Sequence, residues 1–518
     1  MKNRAQSSHH ATPYTFPAPL RGWVETDNPA MSKPGGASVL ENWIPTQTGI
    51  RMRGGCQTVS NVGAPIIGLI PYDNGVVRRL FAVTADAIKD ASAFDGTPAP
   101  TMVTGFSGGE PVATQFSTLG KTYLYVVNGI DAPQLFDGGT WQPVTAASAP
   151  ISITGTGSDR FSHVWSFKSR LFFAVANSMK VWALPVGQVG GAAVDLNLSG
   201  VFTKGGRVLF GTSWSSDSGS GFGDRCVIVT DMGEVAIFEG TDPANPAAWA
   251  LVGRYEITPP LGVNAYVRIG GDVLIATQSG LIPVSGAVSK DPMLLDTVAV
   301  SSPIAKSWAR AVETNRSGWI VRRWEASGSL LVMRPSGDLW GAFAATGAWF
   351  TINAWDIRVA ATVGKRLYFG GADGYVRQGD TTGQDGGAPI VARYRGLLQQ
   401  APRAGLKSVR LARTTFLTTQ DVKCGLRFVS SDRAEWAPAP VPWTPIDTTN
   451  RWDRGQWDVM KWDAGSEDIH VETTMWRSVA ATGHLIAPEV QVVSDSQLGS
   501  ICELVSVDAV VDGGGVVG

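Results

Sequence analysis

The sequence predicts an all-β chain: a β-propeller, with an additional C-terminal β-sandwich-like domain and an extended N-terminal arm. Three observations carry that expectation. Apolar runs of about four to six residues alternate with turns bearing Gly, Asn or Asp along most of the chain. Glycine and proline, 61 and 30 among 518 residues, are scattered, as many short strands require, and not clustered as in a disordered linker. Helical periodicity is scarce, its best candidate being the short stretch SSPIAKSWARAVETN at 301–315.

Taken in order, residues 1–60 read as the arm. The first dozen are polar and include His9 and His10. Two adjacent ligands do not close a metal site. Prolines and glycines in PAPLRGW and KPGGASVLENWIPTQTGIRMRGG break any helix. Only ASVLENW has room for a helical turn or two, ended by Pro45.

Residues 61–388 change character. LFFAVAN, VIVTDMG, VLIATQSG and LYFGGADG each end one β-run in a tight turn that leads to a second run, which is hairpin chemistry. The unit recurs irregularly, roughly every 40–60 residues, and about six or seven propeller blades fit. Stacked sandwiches or a solenoid are the alternatives. The glycine-rich TTGQDGGAPIVA at 381–392 marks a junction. Residues 389–518 then hold further strands of a sandwich or barrel.

Composition excludes several functions. A net charge of −1 offers no basic field for gripping nucleic acid. Cys56, Cys226, Cys424 and Cys502 are far apart and form no CxxC pair, so buried free thiols in a protein made in a reducing cytoplasm are expected, not zinc or a disulfide framework. The start MKNRAQSSHHATPYTFPAP has no apolar core of a secretory signal. No run of about 18 apolar residues occurs, so no transmembrane segment is expected.

Catalytic signatures are missing. Gly120-Lys121-Thr122 has Gln115 where a phosphate-binding loop needs glycine, and reads as a hairpin turn. Serine-hydrolase elbows, HExxH and EF-hand loops do not occur, and His163, His470 and His484 lie in no motif. FDGGTW approaches a sialidase-type Asp-box, but Asp137 to Trp141 is one residue short and Leu135 replaces its serine. A hairpin turn with a packed Trp is expected there. No enzyme, cofactor or metal site is expected.

Two features suggest contacts instead. Trp23 and Trp43, and the tryptophans of the WD-rich string NRWDRGQWDVMKWDAG, Trp452, Trp457 and Trp462, are candidates for packing or interface roles. Arg393, Arg395, Arg403, Lys407, Arg410 and Arg413 form a basic stretch suited to DNA phosphate or an acidic partner, or to a strand face balanced by nearby acids.

PLRGWVETDNPAMSKPGGASVLENWIPTQTGIRMRGG combines a G-W turn, a GGAxxLxNWxP core and a closing GxxxRxG. It resembles the start of tail hub or nozzle proteins of short-tailed bacteriophages, a family also described as DNA-stabilisation or tail tubular proteins. FAVTADAIKDASAFDG and DGYVRQGDTTGQDGGAPIVARY agree with it. The resemblance implies a structural virion protein of the tail, assembled in the host cytoplasm. It implies a homo-oligomer, a hexameric ring below a portal-adaptor ring, beside fibres or spikes, that closes the tail. Viral DNA would leave through its lumen without sequence-specific binding, past a neutral or acidic wall. A carbohydrate-binding or glycan-processing propeller acting as a receptor-binding tail protein is the alternative.

Overall fold

A computed structural model describes residues 11–25, 33–155, 160–215, 223–337, 339–400, 405–419, 422, 424–431, 469–494 and 501–513. The chain is nearly all β and divides into two compact units. One comprises residues 1–56, 341–354 and 380–518; the other comprises 57–340 and 355–379.

The second unit is the β-propeller. Its blades are antiparallel meanders in chain order. The first runs Gly68–Asp73, Arg78–Val83, Ala87–Asp90 and Thr101–Thr104; the second Val112–Ser117, Thr122–Val127, Gln134–Phe136 and Trp141–Pro143. The third holds Phe161–Phe167, Arg170–Val175, Lys180–Ala183 and Val194–Asn197; the fourth Val208–Trp214, Arg225–Thr230, Glu234–Gly240 and Trp249–Glu256. Tyr266–Ile269, Asp272–Thr277 and Gly280–Pro283 form a three-stranded sheet, followed by helical segments. Inner strands Ile320–Trp324 and Val359–Val363 follow, and the latter packs against Gly68–Asp73, so the last sheet meets the first.

Two-sided burial explains the packing. Each blade buries both faces against its neighbours, so strands such as Arg170–Val175 are apolar almost throughout. Fully burying one such side chain contributes about 1.5–3 kcal/mol, and Leu171, Phe173, Val227, Val229 and Ile275 belong to one continuous core. Closure uses the start of the unit. The strand Gly55–Asn61 lies beside Tyr375–Thr382; Val62 donates its N–H to Gly374 O at 2.8 Å and Ile66 to Gly371 O at 3.1 Å.

The expected helix is present as Ala305–Thr314. Its Trp308 is buried beside Trp319, with ring centroids 5.0 Å apart, and donates Nε1–H to Thr277 O at 3.0 Å. Among the described residues, no helix is long and apolar enough to cross a membrane.

The first unit contains two sheets. Cys502–Gly513 is the axis of one, pairing antiparallel with Lys407–Thr418 on one side, and with Thr12–Pro17 and Ile50–Met52 on the other. The other sheet includes Ala37–Glu41, Val391–Gly396, Ile486–Val493 and Cys424–Ser430 in that order. Phe16 and Phe428, one from each sheet, meet edge to face at 5.5 Å, which gives the sandwich character.

Three expectations need correction. The arm is not separate: Thr12–Pro17, Ala37–Glu41 and Ile50–Met52 are strands of the same unit as the C-terminal residues. ASVLENW forms no helical turn; Ala37–Glu41 is a strand held by Val391–Gly396, long-range pairing overriding local preference. The unit boundaries fall at 56/57 and 379/380 instead of 60/61 and 388/389, and Gly341–Ala354 belongs to the first unit.

Candidate functional site

The GGAxxLxNWxP and GxxxRxG segments converge on a buried polar hub. Asn42 sits at φ +59°, a conformation asparagine tolerates better than most residues. Its Oδ1 accepts from Arg53 Nε at 2.8 Å, and its Nδ2 donates to Val391 O at 2.8 Å and to Asn353 Oδ1. Arg53 is fully buried and grips Asp385 with both terminal nitrogens, at 3.0 and 2.6 Å, while Nη2 also reaches Asn353 O at 3.0 Å. A planar fork satisfied on several sides is the geometry that makes a buried guanidinium tolerable. Arg51 pairs Asp380 in the same way, at 3.1 and 3.0 Å. Gly22, at φ +70°, passes so close to Trp349 that a Cβ would lie 2.5 Å from its backbone N and O. Trp43 is buried at the core of this region and Trp23 is half-buried.

The basic stretch is placed residue by residue. Arg393 and Arg395 lie two positions apart on one strand and so share a face. Both reach Glu489 on the adjacent strand, at 2.7 and 3.2 Å, and Arg427 from the strand beyond reaches it at 2.7 Å. Burial would raise the Glu489 carboxyl, but the Arg393 hydrogen bond with the Arg395 and Arg427 interactions outweighs it and holds the group below the ordinary carboxylate range. Lys407 is buried and donates to Gly405 O at 2.9 Å and His484 O at 2.5 Å. Arg410 pairs with Asp512. Arg413 pairs with Asp508 at 2.9 Å and lies 4.7 Å over the Trp476 ring. Arg403, Trp452, Trp457 and Trp462 lie outside the described residues.

In the propeller, chemistry-bearing side chains are absorbed by packing. His163 is buried: Gly211 N–H donates to its Nδ1 at 3.4 Å, so Nε2 carries the proton and faces Tyr266 Oη at 3.1 Å. Burial drops its pKa to about 3 and pushes the Tyr266 phenol up to about 12. Phe210 stacks on Tyr266 at 4.3 Å. Gly120 lies in the turn before the strand Thr122–Val127. Asp137 accepts the N–H groups of Gly139 and Thr140 at 3.0 and 2.8 Å, and Trp141 packs on Phe81 and Phe136. All four cysteines are buried thiols.

One cavity of about 240 Å³ opens at the N-terminal ends of several inner strands. Ile66, Pro111, Trp319, Ile320 and Val359 give it apolar walls; Glu110, Asn264, Arg334 and Arg358 are its polar groups. Sequence reasoning missed these residues, because they stand at the starts of several different strands, with Arg334 just after the end of Ser329–Met333, and no local pattern marks them. Knowledge of blade phase was the only signal that could have joined them. Asn264 is committed internally: its Oδ1 accepts from Arg322 at 2.8 Å and its Nδ2 donates to Pro111 O at 3.2 Å. Burial holds the Arg322 guanidinium below its ordinary value, partly offset by Tyr266. Arg334 lies 3.9 Å over the Trp340 ring.

No protein-family model matches the chain, and no curated protein matches it in sequence. Three solved structures show partial likeness. The extracellular domain of the hybrid two component system BT3049 from B. thetaiotaomicron is 11% identical at a TM-score of 0.42, over 65% of this chain and 42% of that one. The chain therefore matches less than half the length of that domain. The computationally designed Ika8 protein is 12% identical at a TM-score of 0.35, over 62% of this chain and 99% of its own. YCF48 from Cyanidioschyzon merolae is 10% identical at a TM-score of 0.37, over 62% and 98%.

Proposed function

We propose that the chain is a structural tail protein of a short-tailed bacteriophage, a nozzle or hub subunit that joins copies of itself into a ring for DNA exit. One observation carries the reading. The residues on which the family resemblance rests, Gly22, Asn42, Trp43 and Arg53 among them, are the buried framework of the first unit. A resemblance seated in a framework speaks for shared architecture, where one seated in a cleft would speak for shared chemistry. The basic residues near it are balanced by carboxylates of the same chain, which suits a protein past which DNA slides, since counterion-releasing phosphate contacts would slow exit. In this reading the passage is enclosed by several subunits.

Native mass spectrometry and negative-stain images of the full chain at high concentration test the main reading. Closed rings of one stoichiometry are expected. A monomer that stays monomeric, and that binds host polysaccharide, sinks it.

A further inference from the structure

We propose that the propeller cavity lined by Ile66, Pro111, Trp319, Arg334 and Arg358 binds a carboxylate carried on a compact apolar group. The inference is independent of the tail reading, because it concerns only the charge and shape of this cavity.

Size comes first. An apolar cavity of about 150 Å³ already admits a benzene ring, so about 240 Å³ leaves room for a ring and one small polar group. Ile66, Ile320 and Val359 would meet the ring, each removing apolar surface from water.

Charge then selects the polar group. Several arginines elsewhere in the propeller are matched by acids, Arg78 with Asp73, Arg79 with Asp90, Arg170 with Asp242 and Arg207 with Asp231, while others such as Arg268 and Arg366 are not, among the described residues. Arg358, at the cavity, and Arg322, behind Asn264, meet no carboxylate of the described residues. The cavity wall is thus locally cationic, in a chain whose overall charge is −1. Asn264 has both ends of its amide engaged, which leaves recognition to the guanidinium groups. Arg334 is oriented by its stacking on Trp340, and Arg358 is exposed and able to swing. Guanidinium and carboxylate match as a two-point fork. Glu110, also at the cavity and in no ion pair among the described residues, opposes a second negative charge, so a monoanion is favoured over a phosphate dianion.

Such a carboxylate has two sources: a free small acid, or the C-terminus of a peptide ending in an aromatic residue. The test titrates the full chain with phenylacetate, with its neutral isostere phenylacetamide, and with a short peptide ending in phenylalanine, free or amidated, followed by NMR chemical shifts. Phenylacetate is expected to bind at least ~tenfold tighter than the amide, and Arg358→Ala to weaken it ~tenfold or more, with the circular dichroism spectrum unchanged. Arg358→Glu, a second surface change, should abolish the preference for acid over amide. A free-terminus peptide that saturates at lower concentration than phenylacetate assigns the peptide source; the reverse assigns the small acid. Equal binding of acid and amide, binding indifferent to both Arg358 variants, or no shift with any probe overturns the proposal.

Discussion

Glu489 shows how much one side chain can organise. Three guanidinium groups from three different positions converge on it, and none of the three is adjacent to it in sequence. Replacing it by glutamine removes the anion that those three cations share. Breaking a buried pair costs about 3–5 kcal/mol, but these arginines are between a fifth and two fifths exposed, so solvent screening reduces the expected loss for Glu489→Gln to about 2–3 kcal/mol at neutral pH. The pH dependence follows from the lowered carboxyl. Its folded value lies below the unfolded value of about 4.5, so its contribution is complete above that pH and is lost as pH falls through the folded value. Denaturant melts of wild type and variant should therefore differ at pH 7 and converge well below pH 4.5. A constant difference across that range would mean that packing, not charge, is what the substitution removes. The sequence displayed Arg393 and Arg395 as a basic stretch but concealed Glu489, nearly a hundred residues away, because partners across a sheet leave no local trace. Asn42 and Arg53 were likewise visible as parts of a motif while Asp385 was not.

At the scale of elements, hairpins were the legible part. Short apolar runs and their turn residues are local, and the strands Arg170–Val175, Arg225–Thr230 and Asp272–Thr277 fall where those runs stand. The helix Ala305–Thr314 was legible for the same reason. Ring closure was not, because its two halves lie some 310 residues apart. Gly374 is the tight point of that closure. It has φ +77°, and a Cβ there would sit 2.8 Å from Ala64 N and 2.9 Å from Ala64 O, all backbone that cannot rotate aside. Gly63 has nearly the same φ, +76°, but open space around it. The two glycines separate the conformational cost from the steric one. Gly63→Ala should cost about 1 kcal/mol, whereas Gly374→Ala should cost about 2–4 kcal/mol and raise hydrogen exchange at the Val62 amide, which donates to Gly374 O. Equal destabilisation by the two variants would show that the contact with Ala64 contributes nothing to closure.

For the whole molecule, the decisive feature is that the first unit is assembled from chain segments that are remote in sequence. Residues 1–56, 341–354 and 380–518 make one body, and one of its two longest strands, Cys502–Gly513, pairs with Thr12–Pro17 almost five hundred positions away. The split into arm, propeller and C-terminal domain was read from composition, which treats domains as contiguous, whereas this unit draws on three separate stretches of the chain. Contacts of such separation form late and slowly, after the entropy of closing the intervening loop has been met. Removing residues 1–56 should therefore do more than shorten an appendage. It deletes Thr12–Pro17, the Asn42 and Arg53 hub, and Ile50–Met52, leaving one edge of Cys502–Gly513 unpaired and taking the Arg53 guanidinium away from Asp385. An unpaired edge of that length is prone to aggregation. Limited proteolysis of the truncated chain should cleave within the strands Lys407–Thr418 and Cys502–Gly513 under conditions where these strands of the full chain resist, and a soluble full-length product should give way to aggregate. If the truncated chain stays soluble and equally resistant in that region, the arm is not a structural part of the unit, and the framework role given to Gly22, Asn42, Trp43 and Arg53 falls with it.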